Sequence, residues 1–279
     1  MIDQHPPGPP PIIKALQLDT MSAPALPISS LQLSSLHPEQ LALFLDFDGT
    51  LAPIVEHPDA VSVPAPTLDA LALLSQEAAA LAIVTGRSIA DIDRFLSPLA
   101  LPVAGVHGLE RRSADGTISG APISQQALAD VSARLSQFVA RHPGLLLEPK
   151  RGSVALHFRQ RPDLADACAA EVAEAVEPHP QLHVLPGKMV FEIKGGTATK
   201  ADAIAAFMAE EPFRGKKPFF AGDDVTDEDA FPIVERFNGI SVKIGAGETS
   251  AAYRCMGPAA FSQWLVQLAR YFGNSKHGT

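Results

Sequence analysis

Two apolar runs that end abruptly in acids constrain this chain most. LALFL, residues 41–45, leads directly into Asp46-Phe47-Asp48-Gly49-Thr50, and KPFFAG, residues 217–222, leads into Asp223-Asp224-Val225-Thr226-Asp227-Glu228-Asp229. A short apolar run without alternation is the pattern of a parallel strand buried on both faces. Ligands in open α/β sheets bind outside the carboxyl ends of such strands. Carboxylates gathered there repel one another unless a hard cation lies among them, and oxygen donors of this kind suit Mg2+. Helix capping is the competing reading. It fits Asp227 and Glu228, but it fits poorly for Asp46 and Asp48, which directly follow the strand. A calcium loop is excluded: counted from Asp46 glycine falls at position 4 rather than 6, and counted from Asp223 position 6 is Glu228.

The rest of the chain supplies the frame. Residues 1–38 are rich in Pro, Ser and Gln without periodicity and are expected to form a flexible tail. From Leu41 strands alternate with helices: an Ala/Leu-rich helix over 66–79, a strand LAIVTG at 81–86, a helix opened by Ser88 with Asp91 and ended before Pro98, and a strand LPVAGV at 101–106. Such alternation predicts βαβ units and an open α/β sheet. The middle differs. A long amphipathic helix, two strands joined at Arg151-Gly152, a second helix from Pro162, and a hairpin around Pro186-Gly187 predict an inserted α+β layer. After Gly195-Gly196 the first texture resumes, with helices from about Ala198 and Thr226. The expected division is therefore a tail at 1–38, a core at 39–112 and 195–279, and an insertion at 113–194.

Bulk properties narrow the function. The net charge of -9 argues against nucleic acid as a partner. No run approaches the roughly 18 apolar residues of a membrane span, and the N-terminus lacks the pattern of a secretory signal. Cys168 and Cys255 stand far apart in no metal-like spacing and read as reduced packing residues. A cytoplasmic, monomeric protein acting on a small molecule is expected.

The acidic runs also form part of an ordered set. Asp46-Phe47-Asp48-Gly49-Thr50, then Ile83-Val84-Thr85-Gly86-Arg87, then Lys200, then the run from Gly222 to Asp229 follow the four-motif order of the haloacid-dehalogenase phosphatases. The chain resembles that superfamily, and within it the trehalose-6-phosphate phosphatase family. The segments carrying the resemblance run from LFLDFDGTLAPI through GVHGLERR, LEPKRGSVALHFR and GKMVFEIKGGTATKADAI to AGDDVTDEDAF. The resemblance implies a Rossmann-like core with a cap, and a Mg2+-dependent enzyme hydrolysing trehalose 6-phosphate through an aspartyl-phosphate. It implies Asp46 as nucleophile, Asp48 as general acid and base, and Thr85 and Lys200 as holders of the phosphoryl oxygens. Mg2+ would lie on Asp46, the Asp48 carbonyl and Asp223, with Asp224 or Asp227 in support. Gly86, Arg87, His107, Glu148, Lys150, Lys188 and Glu192 would meet the substrate.

Plainer readings stand beside these. Glu148 and Lys150 share one strand face and could form a solvated ion pair. Arg87 could anchor its loop, and His157 and Arg159 could face solvent. The chain departs from the family pattern at Thr85, Ala201, Phe158 and Gly195-Gly196, the last implying a looser hinge. Three other functions remain open: a phosphatase of another sugar phosphate such as sucrose 6-phosphate, a phosphomutase, or a non-enzymatic module of the same fold.

Overall fold

The computed structural model describes residues 24–276, apart from 56, 78–79, 121–122 and 151. The first strand, β1 (Leu26–Pro27), is followed by three short 3-10 turns at Ile28–Ser30, Leu33–Ser35 and Pro38–Gln40. The core then runs β2 (Leu41–Leu45), α1 (Ala65–Glu77), β3 (Leu81–Val84), α2 (Ile89–Leu96) and β4 (Val103–Gly105). A hairpin follows, β5 (Glu110–Arg112) and β6 (Ile118–Gly120). The insertion comprises α3 (Gln125–Arg141), β7 (Leu146–Pro149), β8 (Ser153–His157), α4 (Ala165–Val176), β9 (His183–Gly187) and β10 (Val190–Lys194). The chain returns through α5 (Lys200–Met208), β11 (Lys217–Gly222), α6 (Val225–Glu228), α7 (Phe231–Arg236), β12 (Ile240–Ile244), β13 (Tyr253–Cys255) and α8 (Pro258–Lys276).

The core sheet has the order β1-β13-β12-β11-β2-β3-β4-β5-β6, and every pairing from β1 to β4 is parallel. Strand β2 lies at its middle and explains its own composition. Leu41, Leu43 and Leu45 point into one apolar layer with α1 and α8, while Ala42 and Phe44 point into the other with α5 and α7. Phe44 stacks there on Phe213 and lies tilted against Phe207, at centroid separations of 5.3 and 5.9 Å. A strand buried on both faces needs an uninterrupted apolar sequence, and the first polar residue marks where the sheet ends.

The inserted sheet, β7-β8-β10-β9, is antiparallel and one-sided. Val154, Leu156, Phe191 and Ile193 pack on α3 and α4. The alternate residues turn the other way. Glu148 pairs in register with Ala155, and Ala155 with Glu192, so a small residue separates two glutamates in one row.

Four expectations need correction. Residues 24–38 do not behave as a tail: Ile28, Leu31 and Leu36 are buried, and β1 pairs with β13; residues 1–23 lie outside the described residues. Strand β6 extends the core sheet, so the inserted layer begins after it rather than at 113. The second hairpin turns at Lys188-Met189, where Met189 takes a φ of 63°, and Pro186-Gly187 belong to β9. The hinge is tight. A Cβ on Gly195 would meet Ile123 at 2.7 Å and Leu128 at 2.8 Å, so glycine there permits close packing.

Candidate active site

The acids gather where β2 and β11 end side by side. The register pairs Leu45 with Ala221, and the Asp46 amide donates to the Ala221 carbonyl at 2.9 Å. Asp46 and Asp223 therefore leave adjacent strands at nearly one level. Asp227 joins them from the first turn of α6. One carboxylate oxygen from each of Asp46, Asp223 and Asp227 lies within 4.8 Å of the others.

Lys200 reaches this cluster from α5. Thr199 caps that helix by accepting from the Asp202 amide, and the Asp202 side chain returns to the Thr199 amide, which sets Lys200 at the first helical position. The lysine is buried, and its Nζ donates to Asp46 Oδ1 and Asp227 Oδ1, each at 2.7 Å. Burial opposes the ammonium, but Asp227 and Asp46 hold its pKa above the ordinary lysine value.

One ammonium does not satisfy three carboxylates. Burial, together with Asp227, pushes Asp223 up to about 7, and burial raises Asp46 well above the usual carboxylate range despite Lys200. Asp223 Oδ1 is buried without a hydrogen-bond partner among the described residues. A Cβ on Gly49, whose φ is +77°, would overlap the Asp223 carboxylate, so only glycine allows this approach. Buried, crowded oxygen donors with a free lone pair are the donor set of a hard divalent cation. Asp224 differs from its neighbours. It is exposed, its Oδ1 accepts from the Val225 amide, and it caps α6 outside the cluster.

Asp48 and Arg87 form a second pair. Arg87 Nε and Nη2 donate to the two Asp48 oxygens at 2.6 and 2.8 Å. The guanidinium carbon lies 4.8 Å from the Phe95 ring centroid and 5.6 Å from that of Phe47. Thr85, buried at the end of β3, accepts from the Arg87 amide through Oγ1 at 3.2 Å. Arg87 thus braces Asp48.

The inserted layer meets this floor through His107. The residue sits after β4 with φ 52°, and its Nε2 lies 3.2 Å from Glu192 Oε2. A Cβ on Gly86 would meet the same nitrogen at 2.6 Å, so Gly86 makes room for the ring. Ser153 donates to Glu192 Oε1 at 2.6 Å, and Lys150 Nζ lies 3.6 Å from Glu148 and 3.9 Å from Glu192. His157 Nε2 lies 2.9 Å from Glu148 Oε2. Burial opposes the Glu192 carboxylate, but Lys150, His107 and Ser153 hold its pKa far below the usual range. His157 lowers that of Glu148.

Most of the expected site residues are thereby brought together. Lys188 is not: it is exposed on the β9–β10 turn, and no ion pair reaches it among the described residues. Sequence reasoning missed Ser153 and misread His157. The parity shared by Ser153, Ala155 and His157 is visible in the sequence, but the face it marks is set by the register with Glu148 and Glu192, which leaves no local signal.

The chain is similar to known proteins along most of its length. The family described as Trehalose-phosphatase matches residues 44–257. The trehalose-6-phosphate phosphatase of Escherichia coli (strain K12) is 43% identical over 228 residues, covering 81% of this chain and 86% of that protein. A probable trehalose-phosphate phosphatase of Sinorhizobium fredii (strain NBRC 101917 / NGR234) is 40% identical over 235 residues, covering 82% and 87%. A solved trehalose-6-phosphate phosphatase related protein superposes with a TM-score of 0.71 at 29% identity, covering 85% of this chain and 99% of that one. Among the described residues no helix is long and apolar enough to cross a membrane.

Proposed function

The chain belongs to the trehalose-phosphatase family, and from that premise we propose that it hydrolyses trehalose 6-phosphate to trehalose and inorganic phosphate. The observation that carries this reading is the meeting of two sets of residues. A Lys200–Asp46–Asp227 cluster faces an inserted layer whose Glu148, Lys150 and Glu192 form one polar network, joined to the floor at His107.

Asp46 would attack phosphorus through a carboxylate oxygen as the bond from phosphorus to the sugar oxygen breaks, leaving an aspartyl-phosphate. Asp48 would give a proton to the departing sugar oxygen, then take one from the water that releases phosphate. Each Asp48 oxygen accepts one bond from Arg87 and keeps a second lone pair, so the fork orients the carboxyl group without occupying the site that carries the proton. Lys200 and Thr85 would hold the phosphoryl oxygens.

Asp46, Asp223 and the Asp48 carbonyl would hold Mg2+, supported by Asp227, and the bound ion would offset a repulsion between carboxylate and phosphate dianion of about 8 kcal/mol at ~4 Å and an effective dielectric near 20. Glu148, Lys150 and Glu192 would read the sugar hydroxyls through strong charge-assisted hydrogen bonds. A non-enzymatic module would have no use for the complete set of Asp46, Asp48, Lys200 and Asp223.

Phosphate release from trehalose 6-phosphate, glucose 6-phosphate and sucrose 6-phosphate tests the proposal. Preference for the first supports it, whereas preference for another keeps the chemistry and overturns the substrate.

A further inference from the structure

Lys243 is a buried cation that none of the roles above uses. It lies near the end of β12, in register with Gly222, the residue just before Asp223. Its neighbours Val242 and Ile244 turn into one apolar layer, which sends Lys243 to the opposite face of the sheet. Its Nζ donates to the main-chain carbonyl of Asp223 at 2.7 Å and lies 3.2 Å from Glu228 Oε1. The other Glu228 oxygen accepts from the Ser250 amide at 2.9 Å and from the Thr249 and Ser250 hydroxyls at 3.2 Å each. A chain of contacts therefore runs from the Asp223 backbone through Lys243 and Glu228 to the loop after β12.

Burying an ammonium is costly unless its bonds are specific. Here the specific bond falls on the backbone of the least satisfied acid in the cluster. Asp223 Oδ1 has no hydrogen-bond partner among the described residues, so the direction of that oxygen depends on where the main chain places the side chain. Gly49 lies against the carboxylate itself, and Lys243 pins the main-chain carbonyl from which that side chain departs.

We propose that Lys243 is a positioning residue that aims Asp223 and thereby sets the affinity of the acidic cluster for a divalent cation. The proposal rests on the metal reading given above. It also predicts a sign. As a bare positive charge, Lys243 opposes a nearby cation, and its removal would tighten metal binding. As a support for a ligand, its removal loosens binding, by about 10- to 100-fold for partners of this kind.

The experiment is calorimetric titration of the metal-free protein with magnesium chloride, native against Lys243→Met, with thermal unfolding in EDTA as a separate measure of fold. Activity at varied Mg2+ completes it. The expected result is at least about tenfold weaker binding, with the Mg2+ activation constant rising more steeply than kcat at saturating Mg2+ falls. Equal or tighter binding in Lys243→Met overturns the proposal while leaving the metal reading intact, and a native protein that binds no Mg2+ overturns both. A lower Tm in EDTA with unchanged affinity would make Lys243 merely structural and also overturns it. Should Lys243→Met fail to fold, Lys243→Arg carries the test, because it keeps the charge but moves the donor. Weaker Mg2+ binding than native supports the proposal, and native binding overturns it.

Discussion

Arg87 grips Asp48 with two guanidinium nitrogens, at 2.6 and 2.8 Å, while its flat face lies against Phe95. The fork fixes the direction of a carboxyl group two residues beyond Asp46, and the ring fixes the fork. Lysine carries the same charge but can neither form the paired contact nor stack in the same way. Arg87→Lys should therefore lower kcat for trehalose 6-phosphate on the order of 100-fold, the scale expected when a reacting group is misplaced by about 1 Å. Steady-state kinetics with a matched thermal melt measures this; native kcat would show that the pair has no part in positioning Asp48.

The row Glu148–Ala155–Glu192 makes a prediction about selectivity. Glu148→Ala removes one polar group, and Ala155→Leu fills the space between the two. Each should reduce turnover of trehalose 6-phosphate by about tenfold or more while leaving p-nitrophenyl phosphate hydrolysis near native, since that substrate has no sugar to read. Equal losses on both substrates would mean that the row is structural.

Asp223 gives the metal-free protein a pH dependence. Its pKa is raised from 3.8 to about 7, chiefly by burial. The protonated form is thus favoured on folding: the stabilisation is complete below 3.8 and lost as pH rises through about 7. Glu192, with its pKa depressed, contributes the opposite slope only on the acid side of its ordinary value. Mg2+ at the proposed site would bind the ionised form, so the gain in Tm on adding magnesium chloride to EDTA-treated protein should be larger at pH 8 than at pH 5. An equal gain at both pH values would contradict the shift.

Phe44 tests the frame that brings the acids together. Its ring is fully buried between Phe207 and Phe213. Phe44→Ala should cost about 3–5 kcal/mol of folding free energy, measured by denaturant unfolding. A cost under about 1 kcal/mol would mean that the layer beneath β2 repacks freely.

Much of the core was legible because a buried parallel strand must be apolar to its end, so Asp46 and Asp223 announce both the strand ends and the place of the candidate site. Lys200 was legible through its place in the motif order, whereas the cap by Thr199 and Asp202 that sets it at the first helical position was not read from the sequence. The rest depends on contacts distant in sequence. Nothing local marks Lys243 as the partner of the Asp223 carbonyl, 20 residues away, or Glu192 as the partner of His107, 85 residues away. The turn at Lys188-Met189 was hidden because Pro186-Gly187 is the stronger turn signal, yet the antiparallel register carries both residues within β9. The docking of residues 24–38 was hidden by their composition. Scattered leucines among serines have no period, and only the apolar surface that receives Ile28, Leu31 and Leu36 gives them order.

The most direct test of the assignment is phosphate release from trehalose 6-phosphate by purified protein with Mg2+, compared with the Asp46→Asn variant and with EDTA. The assignment predicts turnover that prefers trehalose 6-phosphate over glucose 6-phosphate and sucrose 6-phosphate and that falls by several orders of magnitude in both controls. Turnover that persists in folded Asp46→Asn, or none from any sugar phosphate by folded native protein, would contradict it.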